Sequence, residues 1–247
     1  MPTGVIQVER NLMLISDVHL GASECAEEHF KEAIALAKRR KMSVLAMGDL
    51  VENAIRLDML SEANLPNTEQ LNLAHKYLAP LADRGQLIGM ISGNHELRTV
   101  KTSMLDTTAV LANALEVPYF FSGGLFQLKH GKHTYQLAAI HGRSGSRTNR
   151  FLDTQRLRQV YSHADIYAAG HNHALAHRKF YTVEAAPDGT EELRERHEVR
   201  TGTFLRWDTQ YARQAVFDAG PVGCPIITFG KDDRSVHIDV DTLCWFD

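Results

Sequence analysis

The stretch Asn11-Leu12-Met13-Leu14-Ile15-Ser16-Asp17-Val18-His19 sets an apolar run directly ahead of an aspartate and a histidine. A short apolar run bounded by polar residues reads as a buried strand. The same arrangement recurs along the chain: MSVLAM runs into Gly48-Asp49, QLIGMIS into Gly93-Asn94-His95-Glu96, YQLAAI into His141-Gly142, and ADIYAA into Gly170-His171-Asn172-His173. In open α/β sheets, ligand sites collect beyond the carboxyl ends of such strands. Strand ends that bring Asp, His, Asn and His to one rim would build a metal site.

The residue types set the class of ion. A hard divalent cation takes carboxylate, amide oxygen and imidazole ligands without thiolate. Asp17 and His19 stand two apart, so in an extended segment both face the same way, and the same holds for His171 and His173. The carboxylate of Asp49 has two oxygens that could bridge two ions. Asn94 offers a neutral oxygen and His141 a further imidazole. Asp17, His19, Asp49, Asn94, His141, His171 and His173 are too many for one zinc ion but suit two ions with open positions for water and substrate.

Around these motifs the texture changes along the chain. The first 50 residues read strand, helix, strand, with Ser23 as the expected N-cap. Glu27 and Glu28 stand in the opening turn and Lys38 to Lys41 at the close, an order that complements the helix dipole. Further helices are expected over about 68–83 and over Leu105 to Leu115. After residue 119, Gly123-Gly124, Gly131-Lys132 and Pro187-Asp188-Gly189 punctuate short alternating runs, which predicts hairpins. The charged segment Thr182 to Arg200 is expected to be an exposed hairpin, and Ser235 to Val240 a strand. No repeat or linker divides the chain, so a single domain over residues 1–247 is expected.

Composition excludes some partners. With 44% apolar residues, 23% charged residues and a net charge of −3, the chain has no strongly basic surface for coating nucleic acid. A local basic groove remains compatible with that balance. The start, MPTGVIQVER, lacks the apolar core of a secretory signal, and no run approaches membrane-spanning length. Cys25, Cys224 and Cys244 form no close pair, which suits reduced thiols in a cytoplasmic protein. Phe120, Phe121 and Trp207 read as core or hairpin aromatics.

Taken in order, DVH at 17–19, GDxxE at 48–52, GNHE at 93–96, HG at 141–142 and GHNH at 170–173 resemble the calcineurin-like metallophosphoesterase superfamily. The likeness spans residues 17 to 173, and only the ordered set is specific. It implies an α/β fold of two packed mixed β-sheets flanked by helices. It also implies two divalent ions, with Mn favoured and Fe, Zn or others compatible. Asp17, His19, Asp49 and His173 would hold one ion, and Asp49, Asn94, His141 and His171 the other. Such a pair would acidify a bridging water and neutralise phosphoryl oxygens during in-line attack.

By the same resemblance His95 is the general acid for the leaving oxygen, a role to which an imidazole is suited near neutral pH. Glu52 matches the orienting carboxylate, and Glu96 is its competitor in sequence. One departure bears on substrate. In the protein Ser/Thr phosphatase branch the bridging Asp opens GDxxDRG, whereas Asn53 stands here in place of the Arg. A phosphomonoester dianion gains most from a fixed guanidinium, so this loss favours phosphodiesters: a nucleotide, a cyclic nucleotide or a nucleic-acid end. Arg56, Arg98 or Arg143 could supply a guanidinium from elsewhere.

After His141-Gly142, Arg143, Arg147, Arg150, Arg156 and Arg158 face a single acid, Asp153, and could grip flanking phosphates. The candidate substrate contacts are therefore Asn53, Arg98, Arg143 and Arg147. The opening SDVHLG is also similar to the start of the double-strand-break nuclease branch. A phosphomonoesterase or protein phosphatase is the competing enzymatic reading. A non-catalytic interaction module on the same fold is expected to have lost ligands or His95, and every one of those positions is filled.

Overall fold

The computed structural model describes residues 4–55, 63–146, 148–186, 188–208 and 220–245. Arg56, Arg147 and Pro187 lie outside the described residues.

The apolar runs do form strands, distributed over two sheets. The first run is β2 (Asn11–Ile15), preceded by β1 (Val5–Gln7) and followed by α1 (Glu27–Arg39) and β3 (Ser43–Ala46). Then come α2 (Asn67–Ala82), β4 (Leu87–Ile91), α3 (Glu96–Ser103), α4 (Thr107–Ala114) and β5 (Tyr119–Phe120). The hairpin β6 (Gly124–His130) and β7 (His133–Ile140) leads to α5 (Leu152–Val160) and β8 (Ile166–Ala169). A long hairpin, β9 (Leu175–Ala185) with β10 (Glu191–Thr201), precedes β11 (Val222–Gly223), β12 (Ile226–Phe229), β13 (Val236–Asp239) and β14 (Cys244–Trp245).

One six-stranded sheet has the order β13-β12-β2-β3-β4-β5 and the other β1-β6-β7-β8-β10-β9, while β11 and β14 pair by themselves. Within the first sheet β2, β3, β4 and β5 run parallel, so their carboxyl ends share one edge. Within the second, β7 and β8 are parallel and bring His141 and His171 to a common edge. The sheets face each other through Leu12, Leu14, Leu45 and Ile91 on one side and Phe126, Leu137, Ile166 and Val199 on the other. Burying an aliphatic or aromatic side chain of this size contributes about 1.5–3 kcal/mol, so the sheet-to-sheet core holds the two edges in register. The outer face of the first sheet packs on α1 and α2 through Phe30, Ile34, Ala37, Ala74 and Leu78. Leu157 of α5 joins Ala138 and Tyr167 on the outer face of the second.

Local expectations are corrected at several points. Ser23 does not cap α1: the helix starts after Ala26, with no side-chain cap. The reason is tertiary, because Ala26 N–H donates to Phe204 O at 2.7 Å and Cys25 bridges Leu205, which holds the preceding turn in place. The helix expected over Leu105 to Leu115 begins at Thr107, where the Asp106 carboxylate accepts from Ala109 N–H at 2.9 Å. A separate α3 lies ahead of it and stops at Met104, whose φ is 60°. The hairpin expected to be exposed is exposed only near its tip. Arg196 to Thr201 are buried, since β10 is an interior strand between β8 and β9.

Candidate metal centre

Short turns beyond the strand ends bring the donors together, and their backbones are strained. Asp17 and His19 (φ 52° each), Asp49 (50°), His171 (73°) and His173 (58°) all occupy the left-handed region. A non-glycine residue there costs about 1 kcal/mol or more and is held only by its surroundings. The holding bonds are visible. Asp17 N–H donates to Gly48 O at 3.0 Å, and Val18 and His19 N–H both reach Asp49 O at 2.8 and 3.0 Å. The two turns are thereby zipped together. Asp17 and His19 therefore converge from left-handed turns and not, as alternation suggested, from an extended segment.

Glu96 secures the second turn. Its buried carboxylate accepts from the N–H groups of Asp49 (3.0 Å), Leu50 (2.7 Å), Val51 (3.3 Å) and Gly93 (3.0 Å). Burial and the Asp49 charge push its pKa up, and these four donors stabilise the ionised form against that pressure. Gly93 is required here: a Cβ would lie 2.1 Å from Asp49 Oδ1 and 2.2 Å from Asp49 N.

The donors fall into overlapping groups. Asp17, His19 and His173 form one, and Asp49, His141 and His171 another. A third, His19, Asp49 and His95, joins them. Asp17 Oδ1 is 3.5 Å from His173 Nε2, and Asp49 Oδ2 is 3.2 Å from His141 Nε2. Asn94 Oδ1 stands 3.0 Å from His141 Nε2 and 2.6 Å from His171 Nδ1. His141 Nδ1 donates to Met47 O at 2.8 Å, which leaves Nε2 as its inward nitrogen.

Electrostatics follow from this crowding. Burial pushes Asp49 up, but His141, His95 and His19 outweigh it and hold the carboxyl well below its ordinary range. Against burial, Asp49 raises His141 to about 10. Burial lowers His173 to about 4 and lowers His171 as well, which keeps both neutral and their lone pairs available. The residues fit a metal cation on one further observation: His19 Nε2 is buried and has no hydrogen-bond partner. Its other nitrogen, Nδ1, is held by Glu52 Oε2 at 2.8 Å. A carboxylate–imidazole pair with the far nitrogen aimed into a cluster of donors is how metal-ligating histidines are arranged.

Glu52, not Glu96, is the carboxylate beside His95. His95 Nδ1 lies 3.2 Å from Glu52 Oε1 and 2.9 Å from Glu52 O. Burial lowers the His95 pKa, but Glu52 and Asp49 outweigh that effect and leave it raised. Arg98 completes the group, with Nη1 3.0 Å from Glu52 Oε1 and Nη2 2.9 Å from His95 Nε2. The guanidinium missing after Glu52 in sequence thus stands beside the donors in space, delivered by α3.

Asn53 is placed differently from its reading as a substrate contact. It is buried, and its Nδ2 donates to His95 O at 2.7 Å and lies 3.3 Å from Thr99 Oγ1, tying the Glu52 turn to α3. Arg143 is exposed and is not among the residues lining the cleft at the donors. Its backbone N–H, with that of Ser144, is held by Asp153 Oδ2 at 3.1 and 2.8 Å. The cleft, about 460 Å³, is lined beyond the donors by Arg98, Arg150, Leu175, Leu205, Arg206 and Trp207. Sequence reasoning read Trp207 as a core or hairpin aromatic, whereas it is half-buried in the cleft lining, and it missed Arg206; both stand far from every motif. It also missed Arg200, fully buried, whose Nε donates to Asn172 Oδ1 at 3.0 Å and whose Nη2 donates to Gly170 O. Arg200 thereby braces the turn that carries His171 and His173.

No protein-family model matches the chain, and no curated protein matches it. Solved structures do resemble it. Vps29 from Entamoeba histolytica complexed with Zn2+ aligns at 12% identity, covering 93% of this chain and 97% of that one, with a TM-score of 0.45. Vacuolar protein sorting 29 from Cryptosporidium parvum aligns at 15% identity over 94% and 97% of the two chains, with a TM-score of 0.43. A predicted phosphoesterase from Streptococcus pneumoniae aligns at 12% identity over 93% and 87%, with a TM-score of 0.39. These likenesses are of overall fold. Two six-stranded mixed sheets flanked by helices, with the ordered motifs at one edge, are the architecture that the resemblance in sequence implies. No helix of the described residues is long and apolar enough to cross a membrane.

Proposed function

We propose that the protein is a dinuclear metal-dependent phosphoesterase, a single domain over residues 1–247, that hydrolyses phosphodiesters. The observation that carries this reading is the buried, unpartnered His19 Nε2 among Asp17, His173, Asp49, His141 and His171. One ion would be held by Asp17, His19, Asp49 and His173 and the other by Asp49, Asn94, His141 and His171. Divalent ions bound there, with Mn favoured over Fe or Zn, would supply an acidified water and offset phosphoryl charge.

The chain's own residues do the rest. Arg98 Nη2 now donates to His95 Nε2, and a phosphoryl oxygen is a stronger acceptor for that guanidinium. Drawing Arg98 onto the substrate frees His95 Nε2 to carry a proton toward the leaving oxygen, while Glu52 orients the ring through Nδ1. Arg98 supplies the guanidinium that the position after Glu52 lacks, so the diester reading rests on room for a second ester group and not on a missing arginine. Room for two ester groups is provided on separate walls: Ser146 and Arg150 beside the Asn172 turn, and Leu205 to Trp207, which Arg206 N–H ties to Glu24 O at 3.0 Å. The cysteines, free among the described residues, suit a reducing cytoplasmic setting.

The test is hydrolysis of bis-p-nitrophenyl phosphate and p-nitrophenyl phosphate by protein stripped of metal and resupplied with Mn2+. Faster metal-dependent cleavage of the diester is expected. Preference for the monoester would replace the diester reading with a phosphatase, and no cleavage of either would refute the enzymatic reading.

A further inference from the structure

We infer that the cleft beside the donors takes an unpaired nucleobase on the indole of Trp207, so that the diester is a nucleoside ester. The inference rests on the phosphoesterase reading above. At about 460 Å³ the cleft has the size of a site for an organic ligand and exceeds what a phosphoryl group alone would fill. The apolar and aromatic part of the lining is formed by Leu175, Leu205, Trp207 and Pro221. Trp207 is half-buried, and among the described residues it has no aromatic stacking partner and no hydrogen bond. A structural tryptophan ordinarily packs against another ring or satisfies its N–H. Trp245 does so, with His29 at 4.7 Å between ring centroids.

The platform is also rigidly tied to the candidate phosphate site. Phe204 N–H and Thr203 Oγ1 each donate to Asp17 O at 2.9 Å, and Arg206 N–H donates to Glu24 O. Trp207 therefore follows directly from a segment anchored to a donor residue at one end and to the Glu24 turn at the other. Arg206 carries no ion pair among the described residues and lines the same cleft, where it suits the anionic ester of a nucleotide. An aromatic face next to a phosphate site accepts any base, because every base has a π-face, but only a base not already stacked in a duplex.

The test uses Mn2+-loaded protein with thymidine 5′-(p-nitrophenyl phosphate) and the base-free methyl p-nitrophenyl phosphate. Trp207→Ala is expected to raise the KM of the thymidine ester, relative to that of the methyl ester, about ten-fold or more, the worth of one base–aromatic stack. Trp207→Phe should largely restore the ratio. An unchanged ratio in Trp207→Ala overturns the base subsite. Failure of the unsubstituted protein to cleave either ester overturns the phosphoesterase reading instead. A binding measurement keeps the two separate. Thymidine monophosphate should quench the intrinsic fluorescence saturably, and Trp207→Phe, which leaves Trp245 as its tryptophan, should abolish that quench. Quenching that persists in Trp207→Phe refutes the subsite whatever the activity.

Discussion

Glu52→Gln is the most informative single substitution, because it keeps the shape of a buried side chain and removes only its charge. Glu52 Oε1 lies 3.0 Å from Arg98 Nη1 and 3.2 Å from His95 Nδ1, while Oε2 lies 2.8 Å from His19 Nδ1. A glutamine has one acceptor oxygen, and the arginine cannot accept, so the oxygen must turn toward Arg98 and His95. The amide nitrogen then faces His19 Nδ1 and can pair with it only if that atom becomes an acceptor. The ring proton moves to Nε2, the buried nitrogen directed among the metal donors, which loses its lone pair. A hydrogen bond to a charged group is worth about 1.5–3 kcal/mol, or roughly 10- to 150-fold, and loss of such a partner typically costs 10–100-fold in metal affinity. Mn2+ titration by calorimetry should therefore show one site weakened about 10–100-fold and the other, built on Asn94, His141 and His171, much less affected. Equal weakening of both sites, or none, would refute the tautomer argument.

Other expectations follow from the same geometry. His95→Ala should leave both metal sites loaded by elemental analysis and lower turnover of the diester by roughly 10²–10⁴-fold, the usual worth of a general acid; turnover within a few-fold of the parent would exclude that role. Gly93→Ala forces a Cβ to within 2.1 Å of Asp49 Oδ1 and should cost about 1–3 kcal/mol of stability and impair both metal sites, as read by urea midpoint and metal content. Parental metal content would show that the Asp49 turn adapts. Burial, with His177, Lys179 and His237 opposing Glu195, lowers His197 from 6.5 to about 4. The unfolded chain then binds more protons between those values, so this contribution is complete above pH 6.5 and is lost as pH falls toward 4, at no more than about 1.4 kcal/mol per pH unit. Urea midpoints for the parent and His197→Gln should converge with acidification, and parallel curves would contradict the assignment.

Much of the candidate site was legible because each donor directly follows an apolar run, and both facts belong to the same few residues. Met13-Leu14-Ile15 announces a buried strand and Asp17 a carboxylate at its end without reference to anything distant. The direction of the side chains was not legible. Alternation placed Asp17 beside His19 by assuming an extended chain, whereas left-handed turns do so, held by Asp49 O from the turn after β3. Choice between Glu52 and Glu96 was likewise beyond the motif. They sit in adjacent turns, and only the backbone amides of residues 49–51 and 93 take Glu96 out of the competition.

By itself, then, the chain's local order determined the α/β class, the strand ends that carry chemistry and the hard-cation character of the donors. These follow from side-chain polarity and short-range periodicity, which survive in any conformation. The tertiary structure alone decided which sheet each strand joined, that Asn53 faces inward, that Arg98 and not Arg143 stands beside the donors, and that Trp207 opens onto the cleft. Each of those depends on contacts between segments tens of residues apart. Such contacts are set by packing and backbone hydrogen bonding of the whole fold, and no window of sequence encodes them.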